Sequence, residues 1–380
     1  MRIFHMADLH IGKILNGFSM IEDQKIVLEQ TKEYIKKYKP DVLILAGDIY
    51  DRSIPSSVAI DVFSGFVSDV LMKLKTPIIA ISGNHDGANL IEYGNKIFEK
   101  LGFYIEGKLK NEIKKVVLQD EYGDVNFYMI PFSDYQIVRE LYKNENVKSL
   151  DDAMECLLNS IKNFNDKERN ILVTHSYVSS SSTIETTESE KPLVLGGKEY
   201  VRSSLFNKFD YVALGHLHKH QKVGKENIRY SGSMLKYSFS EENDEKGILM
   251  VDIGKKGEIN YELLLLNSGK NMITKKGKLE DIINDFSNEN DDDYIKVILT
   301  DENELIEPMN KLRKVYKNIM ILEIDNNRGI YTNELSNKDR KNKTPIEIFE
   351  EFYKYNTNND LSEKQKQIII TSIEDINKGE

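Results

Sequence analysis

Short apolar runs alternate with longer amphipathic segments in the first part of the chain, and this alternation constrains the fold more than any other feature. It predicts strands at residues 3–6, 42–45 and 78–81 and helices at residues 19–37 and 57–74. Strands that are apolar at nearly every position are buried on both faces, as in parallel sheets covered by helices. The pattern therefore predicts an α/β fold in which the polar residues that follow the strands gather at one edge of the sheet.

Later β runs predict a second sheet that packs on the first, with helices flanking both sheets. The predicted strands are residues 113–118, 125–130, 171–174, 211–214, 228–231, 248–253 and 259–265, and the predicted helices are residues 135–142 and 150–164. We expect the last three of these strands to complete the second sheet.

The strand pattern is interrupted at Ser268 and Gly269, where we place a domain boundary. A β-α-β-α-β pattern follows and predicts a small α+β domain, with its elements at residues 272–274, 279–286, 294–299, 305–316 and 319–324. A polar stretch at residues 326–343 is typical of a linker, and two amphipathic helices are predicted at residues 345–355 and 361–377. The predicted domains are therefore residues 1–268, 269–330 and 331–380.

The charge balance gives no sign of a general attraction to nucleic acid, because 52 basic and 62 acidic residues leave a formal net charge of -10. Long-range attraction to phosphate would favour a basic protein. The single cysteine, Cys156, cannot form an internal disulfide, so we expect a cytoplasmic protein. The longest apolar runs have only the length of a strand, and we expect neither secretion nor membrane insertion.

Histidine, aspartate and asparagine recur where predicted strands end. Asp8 and His10 follow the first strand, and two residues at this spacing in an extended chain project from the same face and can chelate one ion. His216 and His218 repeat this spacing after a later strand. The other groups at strand ends are Asp48, Asn84, His85 and His175.

Carboxylate, amide oxygen and imidazole form a mixed ligand set without thiolate, which suits Mn²⁺, Fe²⁺ or Zn²⁺ better than Ca²⁺. Each group alone also has a purely structural interpretation. A lone buried histidine is more often a hydrogen-bonded core residue, and an aspartate after a strand is commonly a helix N-cap. The recurrence of such groups at the ends of several strands favours the metal site.

These motifs resemble those of the calcineurin-like metallophosphoesterase superfamily. They are DLHIGK at residues 8–13, GDIYDR at 47–52, GNHD at 83–86, THS at 174–176 and GHLHKHQ at 215–221. Within the superfamily the chain is similar to the SbcD family of bacterial nuclease subunits. The motifs that carry this narrower resemblance are DIYDRSIPS at residues 48–56, YSGSMLKYSF at 230–239, EEFY at 350–353 and LSEKQ at 361–365. The resemblance implies a two-sheet sandwich flanked by helices, with a small capping domain and C-terminal helices.

The resemblance implies a centre for two divalent metal ions, most often Mn²⁺. One ion would be held by Asp8, His10 and His218, the other by Asn84, His175 and His216, and Asp48 would bridge them. His85 would be catalytic, and Asp86 would orient its ring. Arg52 would either contact the phosphate or form a surface salt bridge. Leu9 and Met234 depart from the usual family pattern, but neither is a ligand position.

The implied function is phosphodiester hydrolysis in DNA, in complex with the ATPase SbcC, during repair, replication and recombination. The family acts as a 3′ to 5′ double-strand exonuclease and endonuclease that also cleaves hairpins, and its nuclease subunit forms a homodimer. Two alternatives stay open: another phosphatase or phosphodiesterase of the superfamily, and an inactive binding protein of the same fold. The first would leave the residues after Gly269 unexplained, and the second conflicts with a complete ligand set.

The C-terminal helices bear apolar residues at helical spacing, which fit either a surface for the ATPase or packing within the chain. These residues are Ile346, Ile348, Phe349, Phe352, Tyr353, Ile368, Ile369, Ile373 and Ile376.

Overall fold

The computed structural model describes residues 1–180, 185–190, 200–285, 292–303, 305–325, 346, 349–350, 353–354 and 360–378. The chain divides into two compact units, Met1–Asp325 and Asn326–Glu380. None of the helices in the described ranges is long and apolar enough to cross a membrane. The predicted linker at 326–343 and most of the predicted helix at 345–355, with Ile348 and Phe352, lie outside the described residues, as do the side chains of Ile373 and Ile376.

The first sheet contains the strands predicted at the start of the chain. In spatial order it consists of β16 (Ile259–Leu265), β15 (Gly247–Ile253), β1 (Arg2–Met6), β4 (Val42–Ala46), β5 (Ile78–Ile81) and β6 (Phe103–Glu106). Strands β1, β4, β5 and β6 are parallel, so their carboxyl ends lie at one edge. Strand β15 pairs antiparallel with β1, and β16 pairs antiparallel with β15.

The second sheet repeats this plan. In spatial order it consists of β13 (Gln221–Val223), β14 (Lys225–Tyr230), β12 (Tyr211–Gly215), β9 (Arg169–His175), β8 (Gly123–Ile130) and β7 (Lys114–Asp120). Strands β14, β12, β9 and β8 are parallel, and β7 and β13 are antiparallel at the two edges. Two shorter pairs are β2 (Ile14–Leu15) with β3 (Phe18–Ser19) and β10 (Val178–Ser179) with β11 (Val201–Arg202).

The two sheets pack face to face and share an apolar core. Side chains alternate along each strand. In β4, Ile44 and Ala46 face the second sheet and pack with residues such as Val173, whereas Leu43 and Leu45 face outward. Both faces of these strands are buried, which explains why they are apolar at every position. The predicted two-sheet α/β architecture is confirmed.

Helices cover the outer faces of the sandwich. They are α1 (Ile21–Tyr38) and α2 (Ser57–Ser68) on the first sheet, the short α3 (Ala88–Ile91) and α4 (Asn95–Phe98) after β5, and α5 (Tyr135–Tyr142) and α6 (Leu150–Asn159) on the second sheet. Helix α2 is continued by a turn of π-helix at Asp69–Lys73. The stretch predicted as one helix over 150–164 ends at Asn159, and the following turn is closed by the Ser160 hydroxyl, which donates to Leu157 O at 2.7 Å.

A third, three-stranded parallel sheet forms the small α+β part of the larger unit. Its strands are β17 (Met272–Gly277), β18 (Tyr294–Leu299) and β19 (Ile319–Ile324), with the helices α7 (Leu279–Asn284) and α8 (Pro308–Leu312). It packs on the main sandwich, where the Tyr294 hydroxyl donates to the buried carboxylate of Asp23 at 2.7 Å. The smaller unit contains a helix, α9 (Glu363–Lys378), where residues 361–377 were expected to form one.

Besides the helix expected over 150–164, two predictions about individual elements were wrong. The strands at 248–253 and 259–265 belong to the first sheet, because β15 pairs with β1 and not with the second sheet. The helix expected at 305–316 is the single turn α8, which starts at Pro308. Proline restricts the residue before it to non-helical conformations, and Glu307 has a left-handed φ of 47°. Strand β6 lies in a stretch for which no strand was expected.

Candidate metal centre

The site lies where parallel strands of both sheets end, so that loops from opposite sheets meet. Asp8 follows β1, Asp48 follows β4 and Asn84 follows β5, all in the first sheet. His175 ends β9, and His216 follows β12 in the second sheet. The residue pairing of β9 with β12 sets His175 opposite Gly215, directly before His216. Residues separated by more than 200 positions in sequence therefore come into direct contact.

The carboxylate of Asp48 lies at the centre of the cluster. Its Oδ1 accepts the backbone N–H of His85 at 2.8 Å. Its Oδ2 is 3.5 Å from Nε2 of His175, 3.7 Å from Nε2 of His10 and 3.9 Å from Nε2 of His85. An oxygen with imidazole nitrogens on several sides has the position expected of a ligand shared by two ions.

Asp8 is a second, fully buried carboxylate of the site. Both of its oxygens accept the backbone N–H of His216, at 3.1 and 3.0 Å. Burial and the nearby charge of Asp48 raise the pKa of Asp8. Two carboxylates held this close in the interior repel each other unless a cation lies between them.

The imidazoles face the centre with nitrogens that carry lone pairs. His175 donates from Nδ1 to the carbonyl of Ala46 at 2.9 Å, so its neutral ring presents an unprotonated Nε2. That Nε2 lies 2.9 Å from Oδ1 of Asn84, which is also an acceptor. Burial lowers the pKa of His175 to about 4, so the ring is neutral at pH 7.

His10 and His218 form a second close contact between two potential ligand atoms. Nε2 of His10 and Nε2 of His218 are 3.1 Å apart, and burial, followed by neighbouring cationic and imidazole groups, lowers the pKa of His10. Burial also lowers the pKa of His216 and of His218. Within the described residues, Nδ1 of His10 is buried and has no hydrogen-bond partner.

This donor set fits divalent metal ions. Acceptor atoms converge in a buried space, and the lowered histidine pKa values leave the imidazoles deprotonated for ligation. Ligand atoms lie within 4.8 Å of one another in the groups Asp8–His10–His218 and Asp8–Asp48–His175, and in a third group formed by His10, Asp51 and His85. The ring centroid of His216 lies 5.5 Å from that of His175. The seven side chains expected as ligands are therefore gathered in one place, and divalent metal binding is supported.

Two glycines make the close approach of the loops possible. A Cβ atom on Gly83 would lie 2.1 Å from Oδ1 of Asp48 and 2.4 Å from its backbone nitrogen. A Cβ on Gly215 would lie 1.9 Å from the carbonyl oxygen of Ala46. Real Cβ atoms do not approach other atoms so closely, so glycine is required where the two sheets meet at the site.

The ring of His85 is held differently from the expectation. Its Nδ1 donates to the backbone carbonyl of Asp51 at 2.8 Å, which leaves Nε2 on the side of Asp48. Asp86 does not orient this ring. Its carboxylate accepts the backbone N–H groups of Tyr50 at 2.9 Å, Ile49 at 3.1 Å and Gly83 at 2.9 Å, and so clamps together the two loops that carry Asp48 and Asn84.

Arg52 is at the surface. Its side chain is 70% exposed, and its Nε lies 3.6 Å from the carboxylate of Asp51. This is the salt-bridge geometry that was one of its two expected roles.

Several residues that support the site were not expected from the sequence. Gln24 of α1 donates to the carbonyl of His10 at 2.8 Å and accepts the N–H of Gly12 at 2.9 Å, which holds the first ligand loop in place. A polar residue on the buried face of an amphipathic helix was a readable signal for this role. Ser189, Glu241 and Lys246 surround the outer side of His218, and no local pattern points to them.

Comparison with known proteins agrees with this geometry. Residues 1–220 match the family described as Calcineurin-like phosphoesterase, and residues 269–357 match the Type 5 capsule protein repressor C-terminal domain. The SbcD subunit of nuclease SbcCD from Staphylococcus epidermidis is 36% identical over 371 residues, which cover 97% of this chain and 97% of that protein.

Solved structures are similar to a part of the chain. The anchor in the inner membrane complex of Plasmodium is 14% identical, with a TM-score of 0.38, over 70% of this chain and 89% of that one. A dimetal phosphatase from Danio rerio is 11% identical, with a TM-score of 0.36, over 66% of this chain and 92% of that one. The assignment of the chain to a family depends on the sequence matches and not on these solved structures. They show that the chain belongs to the calcineurin-like phosphoesterase family and, within it, to the SbcD family of SbcCD nuclease subunits.

Proposed function

We propose that this protein hydrolyses phosphodiester bonds of DNA at a two-metal centre, as the nuclease subunit of a complex with an SbcC-type ATPase. The observation that carries the proposal is the convergence of buried carboxylates and neutral imidazoles around Oδ2 of Asp48. The relative from Staphylococcus epidermidis is named as a subunit of nuclease SbcCD, which supports the substrate and the partner.

One ion would be held by Asp8, His10 and His218 and the other by Asn84, His175 and His216, with Asp48 between them. Two divalent ions at this place, when bound, would activate a water molecule and neutralise charge on the phosphate. Among the ions that suit nitrogen and oxygen donors without thiolate, Mn²⁺ is our choice because the family resemblance implies it.

The remaining groups have roles that follow from their contacts. His85 presents Nε2 toward Asp48, so this nitrogen can hold a proton for the leaving oxygen or donate a hydrogen bond to the phosphate. Asp86 acts as a positioning residue through the three backbone N–H groups that it accepts. Arg52 is exposed beside this loop, and a contact with the DNA phosphate remains our proposal for it.

The assembly is also part of the proposal. The domain division at 268 and 330 and the cytoplasmic location stay as predicted. The C-terminal helices, α9 among them, would bind the ATPase, and the small α+β part would help to hold double-strand ends and hairpins. The homodimer would use the surface of α2, α3 and α4, because several large apolar side chains are exposed on these helices and beside them. These side chains are Ile54, Val58, Ile60, Leu90, Tyr93, Ile97 and Leu101.

A nuclease assay with end-labelled hairpin and linear duplex DNA, with Mn²⁺ and with or without the SbcC-type ATPase and ATP, tests the proposal. Asp48→Asn should lose bound Mn²⁺ and cleavage together. His85→Gln should keep its Mn²⁺ and lose cleavage by about 10²- to 10⁴-fold, because a proton-transfer group contributes that much. His220→Gln is the control, since His220 lies in the loop that carries His216 and His218 but contacts the Tyr230 carbonyl at 3.1 Å.

Full turnover in either site variant would contradict the proposed centre. Hydrolysis of p-nitrophenyl phosphate by a preparation that leaves both DNA substrates intact would instead identify a phosphatase of the same family.

A further inference from the structure

The outer nitrogen of His218 is engaged by a residue from outside both main sheets. Nε2 of His218 faces His10, whereas Nδ1 lies 2.6 Å from the hydroxyl oxygen of Ser189. The same hydroxyl donates to Oε1 of Glu241 at 2.5 Å. The direct distance from Nδ1 to Oε1 of Glu241 is 3.7 Å, so the hydroxyl of Ser189 bridges the ring and the carboxylate from one side.

The direction of these hydrogen bonds follows from the chemistry of the three groups. A carboxylate can only accept, and a hydroxyl has one proton to give. Glu241 is fully buried and forms an ion pair with the buried Lys246 at 2.6 Å, so its charge is kept. The Ser189 proton therefore points to Glu241, and the hydroxyl oxygen accepts from Nδ1 of His218. The neutral ring then has its proton on Nδ1 and its lone pair on Nε2, toward the metal centre.

Ser189 reaches this position because the segment 185–190 packs on the loop that carries His218. Glu190 accepts the backbone N–H of His218 at 2.8 Å, and Gln221 donates to the carbonyl of Glu185 at 2.7 Å. Ser240 accepts the backbone N–H of Glu188 at 3.1 Å. A segment that contributes no ligand is thus tied to one ligand of the site.

We propose that Ser189 is a positioning residue for His218: it links the imidazole to the buried carboxylate of Glu241 and holds the tautomer in which Nε2 can bind a metal ion. This rests on the proposed metal centre. Carboxylate partners of metal-bound histidines raise ligand basicity, and their loss weakens metal affinity by about 10- to 100-fold. In this protein the carboxylate acts through a hydroxyl on a separate segment.

Titration calorimetry with Mn²⁺ on the full chain tests the metal affinity. Ser189→Ala should weaken one of two Mn²⁺ sites by about 10- to 100-fold and leave the other unchanged. Ser189→Thr, which keeps the hydroxyl, should restore wild-type binding. Ser149→Ala, which removes a serine hydroxyl that caps α6 and makes no contact with the segment 185–190, should bind Mn²⁺ like the wild type. If each of the two sites binds Mn²⁺ as tightly in Ser189→Ala as in the wild type, the proposal is overturned.

A metal-free measurement keeps the test independent of folding defects and of activity. Histidine ¹⁵N chemical shifts of the wild-type protein in EDTA should show the proton of His218 on Nδ1, and Ser189→Ala should shift the ring toward the other tautomer. A wild-type proton on Nε2 would refute the role of Ser189. A wild-type protein that binds no Mn²⁺ at all would refute the proposed metal centre, which separates the two failures.

Discussion

Four of the expected metal ligands have a positive φ, which is unfavourable for residues other than glycine. The φ angles of Asp8, His10, Asp48 and His216 are 53°, 44°, 50° and 110°. Such conformations cost of the order of 1–3 kcal/mol each and persist where surrounding contacts hold them. Here the N–H of Asp8 donates to the Gly47 carbonyl and the N–H of His10 to the Asp48 carbonyl, both at 3.0 Å. Four of the ten non-glycine residues with a positive φ in the described ranges are therefore expected ligands, which fits side chains held in place before metal binds.

The glycine before Asn84 should be essential for this geometry. Gly83→Ala would place a Cβ atom 2.1 Å from Oδ1 of Asp48, so the carboxylate must move away from the imidazoles. We expect at least a 100-fold loss of Mn²⁺-dependent cleavage and weaker Mn²⁺ binding, because small displacements at a reacting centre have effects of about this size. The measurements are a nuclease assay and calorimetry.

Gly65→Ala is the matched control for this substitution. Gly65 lies in α2, and a Cβ there meets no atom within 4 Å. Alanine is favoured over glycine inside a helix by about 1 kcal/mol, so this variant should be slightly more stable and fully active. Normal activity in Gly83→Ala would show that the loop after β5 does not need glycine.

The residues that form the site were predictable from the sequence, but their hydrogen-bond partners were not. Asp8, His10 and the other expected ligands stand at strand ends, which the apolar pattern reveals. The expectation that Asp86 orients His85 was wrong because the backbone carbonyl of Asp51 takes that contact. Backbone groups carry no signature in the side-chain sequence, so sequence patterns cannot reveal them.

At the scale of elements, capping by side chains should stabilise the outer helices independently of the site. The hydroxyl of Ser149 accepts the N–H of Asp152 at 3.2 Å and caps α6, which packs on the second sheet. Ser149→Ala should lower the free energy of unfolding by about 1 kcal/mol without changing cleavage. Urea unfolding measures the loss.

Asp134, at the start of α5, provides the comparison for Ser149. It occupies the N-cap position without a side-chain capping bond. Asp134→Ala should therefore cost clearly less than Ser149→Ala. Equal losses in the two variants would argue that the hydroxyl contact of Ser149 contributes nothing specific.

The local sequence pattern identified most helices and strands. Which strands lie side by side in a sheet depended on pairing between residues far apart in the sequence. Strands β7 and β8 were predicted at residues 113–118 and 125–130, and they pair antiparallel across a short turn. Strands β15 and β16 were assigned to the wrong sheet, since alternation along a strand says which residues share a face but not which strand lies beside it.

For the whole molecule, the centre should work without the C-terminal unit. Every expected ligand lies in the larger unit, Met1–Asp325. The three-stranded sheet β17–β19 of this larger unit has its own apolar core. Deletion of the residues after Lys338 should abolish binding to the SbcC-type ATPase and leave hydrolysis of a simple phosphodiester within about 2-fold of the full chain. Gel filtration and a bis-p-nitrophenyl phosphate assay measure the two effects, and an unchanged complex would contradict the prediction.

The stability of the metal-free protein should fall as the pH falls below neutrality, in part because of His5. This histidine is fully buried and contacts the Tyr211 hydroxyl at 2.8 Å across the two sheets. Burial, followed by the nearby His220, lowers the pKa of His5 to about 3. The unfolded chain binds a proton below about pH 6.5 while folded His5 does not, so the free energy of unfolding decreases with falling pH by up to about 1.4 kcal/mol per pH unit.

His5→Asn keeps a polar atom near Tyr211 and cannot titrate. Between pH 6.5 and 4.5 its free energy of unfolding in EDTA should fall less steeply than that of the wild type. Urea titrations at several pH values measure both slopes. Parallel slopes would mean that His5 titrates alike in the folded and unfolded states.

The sequence by itself determined the fold class, the metal chemistry and the family, because apolar periodicity, residue types at strand ends and ordered motifs are local properties of the chain. Only the tertiary structure decided which strands are neighbours, which backbone groups hold His85, and that Ser189 and Glu241 reach the outer side of His218. These contacts join residues from separate loops and sheets. They depend on how the two sheets pack, and packing is a property of the folded chain that no single segment encodes.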